Sequence, residues 1–118
     1  MKYLLLIYER EADWANLSEE EGGKIFGEYM AFTEDIRAKG QSLGGEPLQP
    51  TATASTVRVR DGKTLVTDGP FAETREQLGG YYLIDVADLD EAIRIAARIP
   101  GARSGSVEVR PVMPLPPG

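Results

Sequence analysis

DGPFAETREQLGGYYLIDV, residues 68–86, is the stretch of this chain that decides its fold. It opens with Asp68-Gly69-Pro70, which is typical of a turn, because Asp bonds its own downstream backbone, Gly permits a positive φ and Pro fixes φ near about −65°. It closes with the aromatic and β-branched residues 81–86, which predict a strand. Between them, Thr74 and Gln77 have the spacing of a capping box, so we predict a helical turn that begins at Thr74 and ends at Gly79-Gly80. The stretch therefore predicts a strand of the sheet core, preceded by a loop that can line a pocket.

The composition is that of an ordinary globular domain. The chain has 118 residues, of which 42% are hydrophobic and 27% charged, and this length suffices for one hydrophobic core. No linker or internal repeat divides it, so we expect a single domain over residues 1–118. The apolar run at residues 2–8 is too short for a membrane span or a signal peptide. We therefore expect a protein without membrane contact.

The absence of two residue types restricts the chemistry. The chain contains no Cys and no His, so it lacks a thiolate nucleophile and the imidazole that is the commonest general base and metal ligand near neutral pH. No glycine-rich phosphate-binding motif is present either. We therefore expect neither a metal nor a cofactor. The net charge of −6 disfavours direct binding of nucleic acid.

The predicted elements follow the order of a ferredoxin-like fold. Residues 2–8 predict a strand buried on both faces, and a helix extends from the capping box at Ser18 and Glu21 to Gly40. A short edge strand over 41–49, the central strand over 81–86, a helix that begins after Asp88 and a last strand over 106–113 complete the pattern. This order predicts an α+β fold of the βαββαβ type, with residues 2–8 and 81–86 as its central strands.

An inserted β-hairpin separates the second and third strands of this core. Residues 55–60 and 63–67 alternate in polarity and are joined by Asp61-Gly62, a strong hairpin signal. We predict that Val57 and Val66 share one face of the hairpin, while Arg58 lies on the other.

The apolar central strands also predict an assembly. Two helices cover only one face of a four-stranded sheet, and the chain has no third long helix for the other face. Packing of this open sheet face against a second copy would bury it at the spacing of about 10 Å between stacked sheets. We therefore expect a homodimer through the open sheet face.

Nearly the whole chain resembles the YCII-related family, specifically its DGPF branch. The resemblance is carried by the opening Met1-Lys2-Tyr3-Leu4-Leu5-Leu6-Ile7-Tyr8, the turn Gly45-Glu46-Pro47-Leu48-Gln49-Pro50, the hairpin residues 56–62, the signature Asp68-Gly69-Pro70-Phe71-Ala72-Glu73-Thr74 with residues 76–82 after it, and Val107-Glu108-Val109-Arg110-Pro111. It implies a dimeric α/β-barrel of ferredoxin-like subunits, cytoplasmic in bacteria. It also implies a link with extracytoplasmic-function sigma factors, which is frequent among members.

A histidine–aspartate pair has been proposed as the enzymatic centre of the broader YCII family. This chain has no His, and ungapped matching places Tyr29 near the position of that His on the first helix. The pair therefore does not carry over. The sequence leaves open whether the protein is an enzyme, and function has to be argued from the geometry and chemistry of the site.

Without His or Cys, acid–base chemistry has to use carboxylates, Tyr or Lys. The catalytic candidates are Asp68 and Glu46, which both lie beside Gly and Pro turns where backbone can approach a ligand. The candidate ligand-binding residues are Tyr29, Phe71 and Tyr81. Each of three candidates also has a purely structural interpretation: Asp68 as a turn residue, Glu46 as an exposed loop carboxylate and Tyr29 as a core residue.

Two hypotheses of function follow. The first is a small-molecule-binding homodimer, which in its enzymatic version is a carboxylate-dependent lyase or isomerase on a small aromatic or lactone-like ligand. The second is a non-enzymatic interaction module that acts beside an extracytoplasmic-function sigma factor or another transcription regulator, through its hairpin or its proline-rich tail.

Overall fold

The structure, a computed structural model, describes residues 1–117. Its strands are β1 (Lys2–Glu9), β2 (Ser42–Pro47), β3 (Ser55–Arg60), β4 (Lys63–Asp68), β5 (Gln77–Asp85) and β6 (Ser106–Pro111). Its helices are α1 (Glu11–Ala15), α2 (Glu19–Ala38), α3 (Leu89–Ala96) and α4 (Gly101–Ser104), and a 3-10 turn spans Thr51–Thr53.

The main sheet has the ferredoxin-like strand order. Its four antiparallel strands are arranged β2-β5-β1-β6, so the two most apolar strands, β1 and β5, are central as predicted. The hairpin formed by β3 and β4 is a separate two-stranded sheet inserted between β2 and β5. The α+β fold with an inserted hairpin is thus confirmed.

The core lies between the main sheet and its two long helices. Alternate residues of β1, namely Tyr3, Leu5 and Ile7, are buried against α2 and α3, because successive strand residues point to opposite faces. The helices contribute a stripe at helical spacing, which includes the fully buried Ile36. This packing fixes α2 across β1, and it places the end of β1 beside the inward face of that helix.

The other face of the main sheet carries neither long helix, and it is apolar along its two central strands, β1 and β5. Leu4 and Leu6 of β1 lie directly opposite Leu83 and Tyr81 of β5 on this face. The accessible surface of the chain is 8472 Å², whereas a compact monomer of 12.9 kDa exposes about 6,300 Å². The chain therefore exposes about 2,200 Å² more surface than a compact monomer of its mass.

The two predicted helix caps are confirmed. The Ser18 hydroxyl accepts a hydrogen bond from the Glu21 backbone N–H, and the Glu21 side chain accepts one from the backbone N–H of Ser18. The Asp88 side chain accepts a hydrogen bond from the backbone N–H of Glu91 at the start of α3. These local contacts satisfy backbone donors that have no partner within a helix, and they fix where each helix begins.

The predicted helical turn at Thr74 is wrong. The Thr74 hydroxyl donates to the carbonyl of Glu76, and the Gln77 amide donates to the carbonyl of Thr74, so these side chains stabilise a bend instead of a helix. Strand β5 already begins at Gln77, four residues before the predicted start. Gly80 lies inside this strand, where a Cβ would be 3.1 Å from the carbonyl oxygen of Glu46 on β2. Tight pairing of β2 with β5, rather than a helix end, explains this glycine.

The hairpin has the predicted register and stands apart from the body. Val57 pairs with Val66, and Asp61 and Gly62 both have positive φ, as a two-residue turn requires. Both valines are about 60% exposed. The radius of gyration is 16.4 Å, against about 13.5 Å for a compact chain of this length, in line with an arm that extends from the body.

Two short helices were not predicted. Helix α1 lies between the predicted strand over 2–8 and the cap at Ser18, and α4 lies between α3 and the predicted last strand. Within residues 1–117, no helix is both long enough and apolar enough to cross a membrane.

Candidate functional site

The structure separates the five predicted site residues. Tyr29 lies on α2 and packs against the buried core, whereas Tyr81 lies opposite Leu6 on the open face of the sheet. Glu46, on β2, is the register neighbour of Tyr81 and is exposed. The sheet thus brings Glu46 and Tyr81 together and places Tyr29 on its other side.

The other two predicted residues lie on the arm and on the loop after it. Asp68 is the exposed last residue of β4, opposite Ser55. Phe71 follows in the loop and is 78% exposed. A single chain therefore does not enclose Asp68 or Phe71 in a cavity with Tyr29.

A cavity of about 220 Å³ lies instead at the end of β1, between α1, α2 and α4. Its apolar walls are Trp14, Leu17, Ile25 and Pro100. Its polar groups come from Glu9, Asp13, Gly101, Arg103 and Ser104. A few polar groups among apolar walls are typical of a small-molecule site.

Two hydrogen-bond donors hold the Glu9 carboxylate. The indole N–H of Trp14 donates to Glu9 Oε2 at 2.6 Å, and the hydroxyl of Tyr29 donates to Glu9 Oε1 at 3.3 Å. The backbone N–H of Gly101 in turn donates to the Tyr29 oxygen at 3.1 Å. The hydroxyl therefore acts as acceptor and donor at once, and it orients one oxygen of the carboxylate.

Three elements bring this cluster together. Glu9 is the last residue of β1, just after a register shift between Ile7 and Tyr8 in the pairing with β5; bulges of this kind often re-aim side chains next to active sites. Tyr29 belongs to the inward stripe of α2. Gly101 leaves room for this contact, since a Cβ there would overlap the Glu9 carboxylate and lie 2.9 Å from the Tyr29 oxygen, so it would displace the carboxylate.

The electrostatics of the cluster keep Tyr29 protonated. Burial raises the pKa of the Tyr29 hydroxyl well above its ordinary value, and the neighbouring Glu9 charge raises it further. The hydroxyl is therefore a neutral hydrogen-bond donor at every physiological pH. The one guanidinium among the residues that line the cavity, that of Arg103, is paired with Glu28 at 2.8 Å.

A second, more open cavity of about 370 Å³ lies under the loop of residues 69–76. Glu11 anchors this region: its carboxylate accepts hydrogen bonds from the backbone N–H and the hydroxyl of Thr51, at 2.7 and 2.9 Å. The backbone N–H of Glu11 donates to the side-chain oxygen of Gln77 at 2.9 Å. These bonds tie α1 to both ends of the inserted segment, so the loop shares one end of the sheet with the Glu9 cavity.

No group of three or more Asp or Glu side chains within residues 1–117 is arranged to hold a metal ion. The carboxylates at this end of the sheet instead accept hydrogen bonds from protein donors, as Glu9 and Glu11 do.

Comparison with known proteins identifies the family. The YCII-related domain matches residues 1–116 of the chain. The chain belongs to the YCII-related family. An uncharacterized protein of Rhizobium meliloti (strain 1021) is 41% identical over 120 residues, an alignment that covers 100% of this chain and 97% of that protein.

Within this YCII-related chain, sequence reasoning found one member of the Glu9 cluster and missed the others. Tyr29 was predicted from its place on the helical stripe and near the family's histidine position. Glu9, Trp14 and Gly101 were missed, because nothing local marks a strand-end carboxylate as a site. The one available signal was Trp14, the single Trp of the chain, which stands in an otherwise polar segment.

Proposed function

We propose that this protein is a small-molecule-binding homodimer of the DGPF branch, and that its ligand occupies the cavity at Glu9. One observation carries the proposal: a carboxylate held by two neutral donors, Trp14 and Tyr29, forms the polar wall of an otherwise largely apolar cavity. A carboxylate fixed in this way can bind a ligand or accept a proton without reorganising.

In the enzymatic version of this proposal, the protein is a carboxylate-dependent lyase or isomerase on a small aromatic or lactone-like ligand. Glu9 then takes the role of proton acceptor, since its carboxylate faces the cavity, whereas Asp68 and Glu46 are exposed in the single chain. Tyr29 keeps the carboxylate in position and retains its own proton.

The binding proposal is tested by titrating a library of small aromatic compounds against the fluorescence of Trp14. Because Trp14 is the single Trp of the chain and lines the cavity, a saturable change in its emission reports ligand in this cavity. Glu9→Gln should weaken binding at least about tenfold, as expected for loss of a charged hydrogen-bond partner. Glu34→Gln, an exposed carboxylate on α2 away from the cavity, is the matched control and should bind as the wild type does. A library in which no compound changes the emission would contradict the proposal.

The homodimer forms, in this proposal, through the open sheet face. Leu4 and Leu6 of β1, opposite Leu83 and Tyr81 of β5, supply the apolar centre that such an interface needs. Glu46 and Tyr81 then lie at the interface, on the sheet face opposite Tyr29, whereas Asp68 and Phe71 lie on the arm and on the loop after it. The site roles of Glu46 and Tyr81 therefore depend on the second copy.

Sedimentation velocity tests the dimer. The wild type should sediment as a species with a mass of about 26 kDa, twice the chain mass of 12.9 kDa. Leu6→Glu places a charge on the open face and should give monomer, whereas Leu89→Glu, on the exposed side of α3, should leave the dimer intact. A monomeric wild type, or a dimeric Leu6→Glu variant, would contradict this interface.

A second candidate function rests on the hairpin. Its valines Val57 and Val66 are exposed on an arm that pairs with no strand of the main sheet, and isolated two-stranded sheets are marginally stable without a cover. In this alternative, the arm binds an extracytoplasmic-function sigma factor or another transcription regulator, and no small molecule is turned over.

Binding to a purified sigma factor from the same organism separates the two candidates. The interaction module requires that Val57→Lys with Val66→Lys abolishes the complex and that Glu9→Gln leaves it unchanged. Small-molecule binding at the cavity requires that Glu9→Gln weakens binding in the Trp14 titration and that Val57→Lys with Val66→Lys leaves it unchanged.

A further inference from the structure

The charges that face the Glu9 cavity are unbalanced. Glu9 and Asp13 each bring a carboxylate, and neither forms an ion pair with a residue of the described part of the chain. The single guanidinium on the wall, Arg103, is neutralised by Glu28. The cavity therefore carries surplus negative charge, and its partner has to supply positive charge or hydrogen-bond donors.

The Glu9 carboxylate has room for further donors. An ionised carboxylate offers about four lone-pair positions, and Glu9 uses one on each oxygen, for Trp14 and for Tyr29. Both of these donors are neutral, so the carboxylate keeps its full charge. The remaining positions can accept the N–H groups of an ammonium.

The walls suit an apolar body beside that ammonium. The indole of Trp14 adjoins the carboxylate, because its Nε1 lies 2.6 Å from Oε2, so its ring supplies apolar surface next to the charge. Leu17, Ile25 and Pro100 complete the apolar surface. The volume of about 220 Å³ is below the roughly 300–1,000 Å³ of sites for drug-sized ligands, so the ligand is on the order of ten non-hydrogen atoms.

From these observations we infer that the cavity selects a small protonated amine with an aromatic or aliphatic body, whose ammonium binds Glu9 and whose body packs on Trp14 and Leu17. This inference rests on the proposed function, in which the same cavity binds a small molecule, and it specifies the class of that molecule. Anionic ligands of the same size are excluded by the Glu9 and Asp13 carboxylates.

The test compares three probes that share a phenyl body: 2-phenylethylamine as the cation, 2-phenylethanol as the neutral analogue and phenylacetate as the anion. Each is titrated at neutral pH against Trp14 fluorescence, with calorimetry as a second readout. The amine should bind about tenfold more tightly than the alcohol, and phenylacetate should not bind at millimolar concentration. In Glu9→Gln the preference for the amine over the alcohol should disappear, while Glu34→Gln should retain it.

The outcomes separate this inference from the proposed function. Equal or tighter binding of the alcohol or of phenylacetate in the cavity would overturn the amine assignment and leave small-molecule binding in place. An amine that fails to bind, while other compounds of the aromatic library change Trp14 emission, would do the same. If the library and all three probes leave the Trp14 emission unchanged, both the amine assignment and the proposed small-molecule binding are refuted. The comparison of probes uses the wild-type protein, so it does not depend on the folding of the Glu9→Gln variant.

Discussion

Replacing Tyr29 with Phe removes the hydroxyl that joins α4 to the end of β1. In the wild type this oxygen accepts from the backbone N–H of Gly101 at 3.1 Å and donates to Glu9 at 3.3 Å. Gly101 is buried, so in Tyr29→Phe its N–H loses its acceptor in a place that water reaches poorly. The ring itself and its packing against the core remain.

The magnitude follows from these two bonds. A buried donor left without a partner costs about 1–3 kcal/mol, and the longer bond to Glu9 adds about 0.5–1 kcal/mol. The Phe variant no longer has to desolvate a buried hydroxyl, which offsets part of this loss. We therefore expect Tyr29→Phe to lower the free energy of unfolding by about 2 kcal/mol. With a urea m-value of about 2 kcal/mol/M, the midpoint should fall by about 1 M.

Urea unfolding, followed by far-UV circular dichroism and by Trp14 fluorescence, measures this loss. All variants have to be compared at one protein concentration, because the proposed homodimer would make the stability depend on it. A double-mutant cycle with Glu9→Gln should give a coupling of about 0.5–1.5 kcal/mol between the two side chains. Glu34→Gln is the control, since Glu34 is exposed on the same helix and away from the cluster, and it should shift the free energy by less than about 0.5 kcal/mol.

Two results would refute this reasoning. If Tyr29→Phe unfolds within about 0.5 kcal/mol of the wild type, the hydroxyl does not satisfy a buried donor. If the cycle with Glu9→Gln shows no coupling, Tyr29 does not hold the carboxylate. Either result would remove the positioned carboxylate on which the proposed function rests.

The remaining predictions concern glycines and pH. Gly45→Ala should destabilise the fold by about 1–3 kcal/mol in urea unfolding, since a Cβ there would lie 2.5 Å from a carbonyl oxygen of β5. Gly27→Ala, on α2 with open space around it, should stabilise the fold by about 1 kcal/mol. The Arg98 guanidinium lowers the pKa of the Asp35 carboxyl, so the ionised Asp35 stabilises the fold above about pH 4, and this contribution is lost as the pH falls through the lowered pKa. In thermal melts, Asp35→Asn should therefore reduce the loss of stability at acid pH. Burial raises the pKa of Tyr29, so stability falls as the pH rises above about 10, where the unfolded tyrosine releases its proton; Tyr29→Phe should reduce this alkaline decline.

Each of these predictions has a contrary outcome. Wild-type stability in Gly45→Ala would mean that β2 can move away from β5 at little cost, and a destabilised Gly27→Ala would mean that another surface covers that side of α2. An unchanged loss of stability at acid pH in Asp35→Asn would show that the pair with Arg98 does not persist in solution. An alkaline decline that stays the same in Tyr29→Phe would place the titrating group elsewhere.

The sequence predicted the elements whose causes are local. The caps at Ser18 and Asp88 and the turn at Asp61-Gly62 involve residues two or three positions apart, and all three are confirmed. The apolar pattern of residues 2–8 and 81–86 predicted the central strands, because burial on both faces leaves no polar alternation. The capping pattern at Thr74 failed because the strand that follows requires Gln77 for its own pairing with β1. A long-range contact outweighed a local one.

The candidate site could not be derived in the same way. Glu9 and Tyr29 are 20 positions apart, and Tyr29 and Gly101 are 72 apart. Their meeting depends on how α2 crosses β1, on the register shift before Glu9 and on the absence of a side chain at Gly101. No local pattern in the sequence encodes these three conditions.

By itself, then, the sequence determined the βαββαβ order with its hairpin, the two apolar faces of the central strands and the restriction of acid–base chemistry to carboxylates, Tyr and Lys. Only the tertiary structure showed that the Glu9 carboxylate lines a cavity and is held there by Trp14 and Tyr29, whereas Asp68 and Glu46 are exposed in the single chain. The physical reason is that strand and helix patterns arise from the chemistry of neighbouring residues. A positioned carboxylate instead arises from packing, which brings together groups that are distant in the chain and leaves space for them only where a glycine permits it.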